Sequence, residues 1–151
     1  MINYEDILTE IERLMKEASK IFFDLDPQNN FEMKGRNDFV TEVDFKVQEV
    51  LEGELLKLIE GSNLLAEEKG KSSAEIKDYT WVLDPVDGTS NLVHGFQHSV
   101  ISLALIEKSE IVIGAVYDPY RDEFFSAIKG QGSRLNGKVI RVSHNEELAN
   151  S

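Results

Sequence analysis

The chain has 151 residues, and its 28 acidic side chains outnumber its 16 lysines and arginines, which gives a formal net charge of −12. An acidic surface repels the phosphate backbone of DNA and RNA, so the composition argues against a nucleic-acid polymer as a partner. The absence of cysteine excludes disulfide bonds and metal centres held by thiolates. With 41% hydrophobic residues, the chain can form one ordinary globular core.

The sequence shows no signal for export or for membrane insertion. Residues 1–6 lack the basic and apolar regions of a signal peptide. No apolar run approaches the roughly 18 residues that are needed to cross a bilayer. We therefore expect a cytoplasmic protein without a membrane partner.

The N-terminal part of the chain predicts two amphipathic helices. Apolar residues recur at helical spacing from Tyr4 to Leu25 with charged residues between them, which predicts one helix of about six turns. After a loop at residues 26–30 and a short apolar stretch, a second helix is predicted to begin near Thr41 and to stop at Gly61. The apolar side of each helix is expected to pack in the core.

From residue 62 onward, short runs rich in β-branched and aromatic residues predict a sheet. The runs cover residues 64–66, 79–83, 100–106, 111–117, 123–128 and 139–142. The segment 107–110 between two of these runs is short enough for a hairpin, which requires antiparallel strands. We therefore predict the α+β class, with two N-terminal helices packed on a largely antiparallel sheet.

The most informative segment is WVLDPVDGTSN at residues 81–91. An apolar strand is predicted to end at Asp84, Pro85 to interrupt the strand's hydrogen bonding, and a turn from Asp87 to lead into a helix. Two carboxylates would then converge beside backbone N–H groups, an arrangement that suits Mg²⁺, Mn²⁺ or Ca²⁺ together with a phosphate. The alternative is a β-turn in which both aspartates accept hydrogen bonds from loop amides.

Two further acidic groups have both a functional and a structural interpretation. Glu67 and Glu68 follow the apolar run 64–66, so a carboxylate would lie at another strand end; the alternative is a solvated run of charges. Thr41 and Asp44 have the spacing of a capping box at the start of the second helix, which by itself would explain Asp44.

Four stretches of the chain occur in the order found in one family of phosphatases. They are NDFVTEVD at 37–44, LAEE at 65–68, WVLDPVDGTSN at 81–91 and GQGSRLNG at 130–137. Together they resemble the inositol monophosphatase family, part of a fold group that includes fructose-1,6-bisphosphatases and bisphosphate nucleotidases. The resemblance covers nearly the whole chain and implies the N-terminal half of the layered αβαβα fold of that family.

The resemblance implies a metal site. Glu67, Asp84, Asp87 and the backbone carbonyl of Val86 would ligate Mg²⁺, with Mn²⁺ as a substitute. Lys34 resembles a loop lysine near the metals. Bound cations would explain how an acidic site receives an anionic phosphate ester.

The resemblance also implies the catalytic groups. Asp44, Thr89 and Glu67 would be the catalytic residues, and the pair of Asp44 and the Thr89 hydroxyl would orient and help to deprotonate the attacking water. Gly88, Thr89 and Ser90 would donate backbone N–H groups to the phosphate of the substrate. The expected partner is therefore a small phosphorylated molecule.

The chain departs from the family in its length. Family members are considerably longer, and their C-terminal half carries a Trp-Asp motif whose aspartate completes the metal site, whereas the one tryptophan here is Trp81. We therefore expect residues 1–151 to be a single N-terminal, metal-binding half without its C-terminal half. A smaller departure is Gln97, at a position where the family commonly has proline.

The expected function is Mg²⁺-dependent hydrolysis of a small phosphomonoester, such as inositol monophosphate or a related sugar or nucleotide phosphate. We expect this activity to be weak or absent in the present chain and the full-length form to be a homodimer. The alternative is a non-catalytic metal- or phosphate-binding module, or a remnant that works only when it is paired with another chain.

Overall fold

The computed structural model describes residues 2–25, 31–35, 38–66 and 77–143, which form helices, a two-stranded sheet and a seven-stranded sheet. The helices are α1 (Tyr4–Ala18), α2 (Ile21–Asp24), α3 (Glu42–Leu58) and α4 (Thr89–Val93). The strands are β1 (Phe31–Gly35), β2 (Asp38–Thr41), β3 (Asn63–Ala66), β4 (Tyr79–Asp87), β5 (Val100–Glu107), β6 (Glu110–Asp118), β7 (Glu123–Ile128), β8 (Ser133–Leu135) and β9 (Lys138–Ile140). The predicted α+β class is confirmed.

The first predicted helix is in fact two helices, α1 and α2, so the prediction of one continuous helix is wrong. Near the break, the Ser19 hydroxyl donates a hydrogen bond to the carbonyl of Lys16 at 2.9 Å. The Lys20 N–H bonds the carbonyl three residues earlier, at 3.3 Å, which is the tighter pattern of a 3₁₀ turn. The apolar spacing continues across this break, which is why periodicity alone did not reveal it.

The second predicted helix, α3, is confirmed, and Thr41 is its N-cap with the predicted capping box. Helices α1 and α3 pack on one face of the seven-stranded sheet. Fully buried side chains from all three elements meet there, and they include Ile11, Met15, Val47, Leu51 and Trp81. This layer is the hydrophobic core.

The strand order in the seven-stranded sheet is β3-β4-β5-β6-β7-β8-β9. Strands β3 and β4 are parallel, and every other neighbouring pair is antiparallel. The predicted hairpin joins β5 to β6 through Lys108 and Ser109, whose φ angles of 47° and 71° are those of a primed two-residue turn. The sheet is therefore largely antiparallel, as predicted.

Strand β4 continues through Pro85 to Asp87, so the prediction that it ends at Asp84 is wrong. Asp84 pairs with Ser102, and Asp87 pairs with Val100. Strand β4 thus advances by three residues while β5 advances by two, which is a β-bulge. The bulge accommodates Pro85, which has no N–H to donate to the ladder, and it shapes the end of β4 where the acidic residues lie.

The face of the seven-stranded sheet opposite α1 and α3 is lined by small and apolar side chains. Val82 is 38% exposed and Phe125 is 36% exposed. Phe125 lines a shallow groove together with Ala104, Gly114 and Val116 on the neighbouring strands. Among the residues described, no helix is both long and apolar enough to span a membrane.

Candidate active site

Three elements meet where β4 ends: the first turn of α3, the bulged end of β4 and the start of α4. The Thr89 hydroxyl oxygen lies 2.9 Å from Asp44 Oδ1 and 2.9 Å from the carbonyl oxygen of Val86. A hydroxyl carries one proton and also accepts hydrogen bonds, so Thr89 donates toward these two acceptors and keeps acceptor capacity for another molecule. The structure thus brings together two predicted catalytic residues that are 45 positions apart.

The two carboxylate oxygens of Asp44 have different partners. Oδ2 accepts hydrogen bonds from the Thr41 backbone N–H at 2.8 Å and from the Thr41 hydroxyl at 2.5 Å. Oδ1 accepts from the Thr89 hydroxyl at 2.9 Å. The structural and functional interpretations of Asp44 are therefore compatible, because one oxygen completes the capping box and the other contacts Thr89.

Burial of Asp44 changes its acidity. Its side chain is almost entirely removed from solvent, with 1% exposure. Loss of hydration disfavours the charged form and raises the pKa of Asp44 above its ordinary value, while the hydrogen bonds from Thr41 and Thr89 partly oppose the shift. A carboxylate with a raised pKa is a better proton acceptor at its site.

Asp84 and Asp87 lie at the bulged end of β4, the first half-buried and the second exposed. Asp84 Oδ1 accepts a hydrogen bond from the Val86 backbone N–H at 3.2 Å, so the turn interpretation holds for this contact. The two carboxylates and the Val86 carbonyl are hard oxygen donors, the type that Mg²⁺ prefers. Within the described ranges, no group of three or more candidate metal-binding side chains is found.

Three positions singled out in the sequence are either outside the described residues or described only in their backbone. Glu67 and Glu68 lie outside the described residues, and so does the side chain of Lys34 in strand β1. Ala66, the last described residue of β3, pairs with Leu83, the residue that precedes Asp84 in β4. The described part of β3 therefore ends beside the acidic end of β4.

The turn between β4 and α4 depends on Gly88. Its φ of 92° and ψ of 36° are left-handed, and a Cβ at this position would lie 3.0 Å from the carbonyl oxygen of His98. The Ser99 hydroxyl donates to the Gly88 carbonyl at 2.8 Å. The Asn91 carboxamide N–H donates to the His98 carbonyl at 2.7 Å. The segment before β5 thus packs tightly against the turn.

Sequence reasoning did not assign a role to Asn91 or Ser99. Asn91 is the last residue of the 81–91 motif, so its position gave a signal that was not used. Ser99 lies outside all four motifs, and a single serine before a strand has no pattern that would distinguish it.

Comparisons with known proteins agree with the fold and with the motifs. The model of the protein family described as "Inositol monophosphatase family" matches residues 3–151. The "Nus factor SuhB" of Pasteurella multocida is 36% identical over 117 residues, which are 78% of this chain and 44% of that protein. The chain spans about half the length of the curated relatives it matches.

Solved structures show the same relation. An IMPase structure from Thermotoga maritima superposes with a TM-score of 0.85 at 36% identity, over 93% of this chain and 55% of that chain. A crystal structure of an IMPase/NADP phosphatase complexed with Mg²⁺ and phosphate gives a TM-score of 0.76 at 27% identity, over 91% of this chain and 51% of that chain. The described elements therefore have the fold found in about half of each of these structures.

Proposed function

Because this chain belongs to the inositol monophosphatase family, we propose that it provides the N-terminal part of a Mg²⁺-dependent phosphatase. The proposed reaction is hydrolysis of a small phosphomonoester by attack of a water molecule on phosphorus. The observation that carries the proposal is the hydrogen bond between Thr89 and Asp44, formed beside the oxygen donors at the end of β4. A hydroxyl paired with a buried carboxylate is a suitable acceptor for a proton from that water.

Glu67, Asp84, Asp87 and the Val86 carbonyl are the proposed ligands of Mg²⁺, and Mn²⁺ prefers the same kind of donors. Glu67 follows Ala66 directly in the sequence, and Ala66 pairs with the residue before Asp84. When bound, Mg²⁺ would supply positive charge to the phosphate and would lower the pKa of a water molecule. The IMPase/NADP phosphatase structure, which is complexed with Mg²⁺ and phosphate, supports Mg²⁺ as the metal of the proposed site.

The Thr89 hydroxyl and Asp44 are the proposed route for the proton. The water would donate a hydrogen bond to Thr89 Oγ1, and the Thr89 proton would move to Asp44 Oδ1 as the proton of the water reaches Thr89. The raised pKa of Asp44 favours this acceptor role. Glu67 would assist as the third catalytic residue.

The start of α4 is the proposed position of the substrate phosphate. The first amides of a helix have no carbonyl partner inside the helix, so the backbone N–H groups of Gly88, Thr89 and Ser90 would donate to phosphate oxygens. Lys34 is proposed to lie near this charge. The substrate class is inositol monophosphate or a related sugar or nucleotide phosphate, and we expect the longer form to be a cytoplasmic homodimer.

A second candidate function is that of a binding module that works only when it is paired with another chain. The observation that favours it is the sheet face opposite α1 and α3, where Val82 and Phe125 are each more than one third exposed. An apolar sheet face of this kind is normally covered by another layer. In this case, the chain would bind metal and phosphate without turnover of its own.

The test is phosphate release from a panel of small phosphomonoesters, with and without Mg²⁺. The chain is assayed alone and after co-expression with the C-terminal half of a full-length family member. Each form is compared with Asp84→Asn and with a matched control, Asp78→Asn, which removes the same charge from an exposed residue just before the other end of β4.

We expect little turnover by the chain alone and saturable, Mg²⁺-dependent turnover by the complemented form. Asp84→Asn should remove this turnover and Asp78→Asn should retain it. A complex that assembles but releases no phosphate would favour the binding module. Equal turnover by both variants would contradict the proposed metal site.

A further inference from the structure

We propose that Asn91 and Ser99 are positioning residues that hold the Gly88 turn so that the Thr89 hydroxyl stays directed at Asp44. This inference rests on the proposed function, because the alignment matters for the transfer of a proton from water. Neither residue is proposed to contact the substrate or a metal. They act through Gly88 and Thr89.

The first support is the hydrogen bonding of the Gly88 carbonyl. It accepts from the Ser99 hydroxyl at 2.8 Å and from the backbone N–H groups of Asn91 at 2.9 Å and Leu92 at 3.2 Å. Ser99 is 1% exposed, and a buried hydroxyl is costly unless it has a hydrogen-bond partner. The Gly88 carbonyl is therefore held in one direction by three donors, one of which is the buried Ser99 hydroxyl.

The second support is the geometry of the peptide bond. The Gly88 carbonyl and the Thr89 N–H belong to one planar trans unit, in which the two groups point in opposite directions. Fixing the carbonyl toward Ser99 therefore fixes the direction of the Thr89 N–H and the position of the Thr89 Cα. The 2.9 Å contact between the Thr89 hydroxyl and Asp44 Oδ1 depends on that position.

The third support is the packing of residues 96–99 against the turn. The Asn91 side chain donates to the His98 carbonyl at 2.7 Å, and the Phe96 N–H donates to the Asn91 carbonyl at 2.8 Å. A Cβ on Gly88 would lie 3.0 Å from the same His98 carbonyl. The turn and this segment therefore fit each other closely, and loss of one of these hydrogen bonds is expected to loosen the fit.

A small displacement is expected to affect rate more than binding. Catalytic groups have to be held within about 0.5 Å of their productive geometry. A misplaced Thr89 would weaken the proposed contact between its backbone N–H and the phosphate, but the proposed metal ligands are other residues and would still hold the phosphate ester. The rate of the proton transfer would fall, since it requires the hydroxyl to bridge the water and Asp44.

The experiment compares Ser99→Ala and Asn91→Ala with Ser99→Thr, which retains a hydroxyl. Two matched controls remove similar groups away from the turn. Ser126→Ala changes another buried serine, on β7, and Asn63→Ala removes an amide that accepts from Thr80 at 2.7 Å. Two readouts are used: NMR chemical shifts of Thr89 and Asp44 in the chain alone, and kcat and KM of the complemented form.

We expect Ser99→Ala and Asn91→Ala to move the Thr89 and Asp44 resonances and to lower kcat by about tenfold or more, with a smaller proportional rise in KM. Ser99→Thr should recover most of both effects, and the controls should show neither. Unmoved Thr89 resonances, or a loss of kcat no greater than in Ser126→Ala, would overturn the inference. If the wild-type complex shows no turnover, the proposed function fails, and the resonances alone then decide whether these residues position Thr89.

Discussion

The substitution Asp44→Asn separates the helix-capping role of this residue from its proposed chemical role. An asparagine can direct its carbonyl oxygen at the Thr41 N–H and hydroxyl, where Asp44 Oδ2 now accepts at 2.8 and 2.5 Å. Its NH₂ group then faces Thr89, whose hydroxyl can donate to the Val86 carbonyl at 2.9 Å instead. Every hydrogen-bonding group at the site keeps a partner, but no group remains that accepts a proton.

The expected change in stability is small. Asp44 is the third helical residue of the capping box whose N-cap is Thr41, and an asparagine there can still accept the hydrogen bond from the Thr41 N–H. Loss of a capping interaction altogether costs about 1 kcal/mol. Removal of a buried charge also ends the desolvation cost that raises the pKa of Asp44. We therefore expect the free energy of unfolding to change by about 1 kcal/mol or less, which is a shift of roughly 2–4 °C in Tm for a chain of this size.

The expected change in turnover is large. Positioned general bases contribute about 10²–10⁴-fold to the rate, so kcat of the complemented form should fall by that factor. Thermal unfolding of the chain alone and phosphate release by the complemented form are the two measurements. The control is Asp118→Asn, a buried aspartate that accepts from the Tyr120 N–H at 2.9 Å and from Arg121. If Asp44→Asn retains kcat within the range of this control, Asp44 only caps α3 and the proposed proton route is wrong.

Three further predictions concern metal, backbone and pH. In thermal melts, Mg²⁺ at ten times its Kd should stabilise the chain by about 1.4 kcal/mol; Asp84→Asn should abolish this gain and Asp78→Asn should not. Gly88→Ala should cost about 1–3 kcal/mol more than Gly61→Ala in denaturant unfolding, because both glycines have positive φ but at Gly88 the new Cβ would also be crowded by a carbonyl oxygen 3.0 Å away. In EDTA, the free energy of unfolding of the wild type should fall relative to that of Asp44→Asn as the pH rises above about 4, because burial holds the pKa of Asp44 in the folded chain above its value in the unfolded chain. A difference between the two free energies that does not change with pH would contradict this.

The predictable part of the fold is the part with long, periodic apolar patterns. Helix α3 and the hairpin of β5 and β6 follow directly from spacing and from a short connection. The break between α1 and α2 was missed because the chain tightens into a 3₁₀ turn at Ser19 and Lys20 without a change in the apolar spacing. Strand β4 continues beyond Pro85 because β5 pairs with residues on both sides of the bulge. The local sequence around Pro85 does not show which strand will pair with it, so this continuation could not be predicted.

The candidate site was predictable in its residue types and, through the resemblance, in the pairing of Asp44 with Thr89, whereas its other contacts were not predicted. The motifs that resemble a known family name Asp44, Asp84, Asp87 and Thr89, and two carboxylates near a small-residue turn suggest a metal on chemical grounds alone. The contact between Thr89 and Asp44 joins residues 45 positions apart, so it follows from the packing of α3 against the end of β4. Ser99 was missed because its importance arises only from what its buried hydroxyl touches.

The hydrogen bonds that build the candidate site join residues of this chain. The sheet face opposite α1 and α3, in contrast, is left partly exposed by the described residues. Around the end of β4, the Thr89 hydroxyl donates to Asp44 and the Ser99 hydroxyl donates to the Gly88 carbonyl. Val82 and Phe125 lie on the other face and remain partly exposed. Formation of the Gly88 turn therefore does not depend on coverage of that sheet face. It follows that stabilisation by Mg²⁺ should be measurable in the chain alone, while efficient turnover should require a partner that covers the exposed face. Loss of both properties together in the isolated chain would indicate that the site depends on that partner to form.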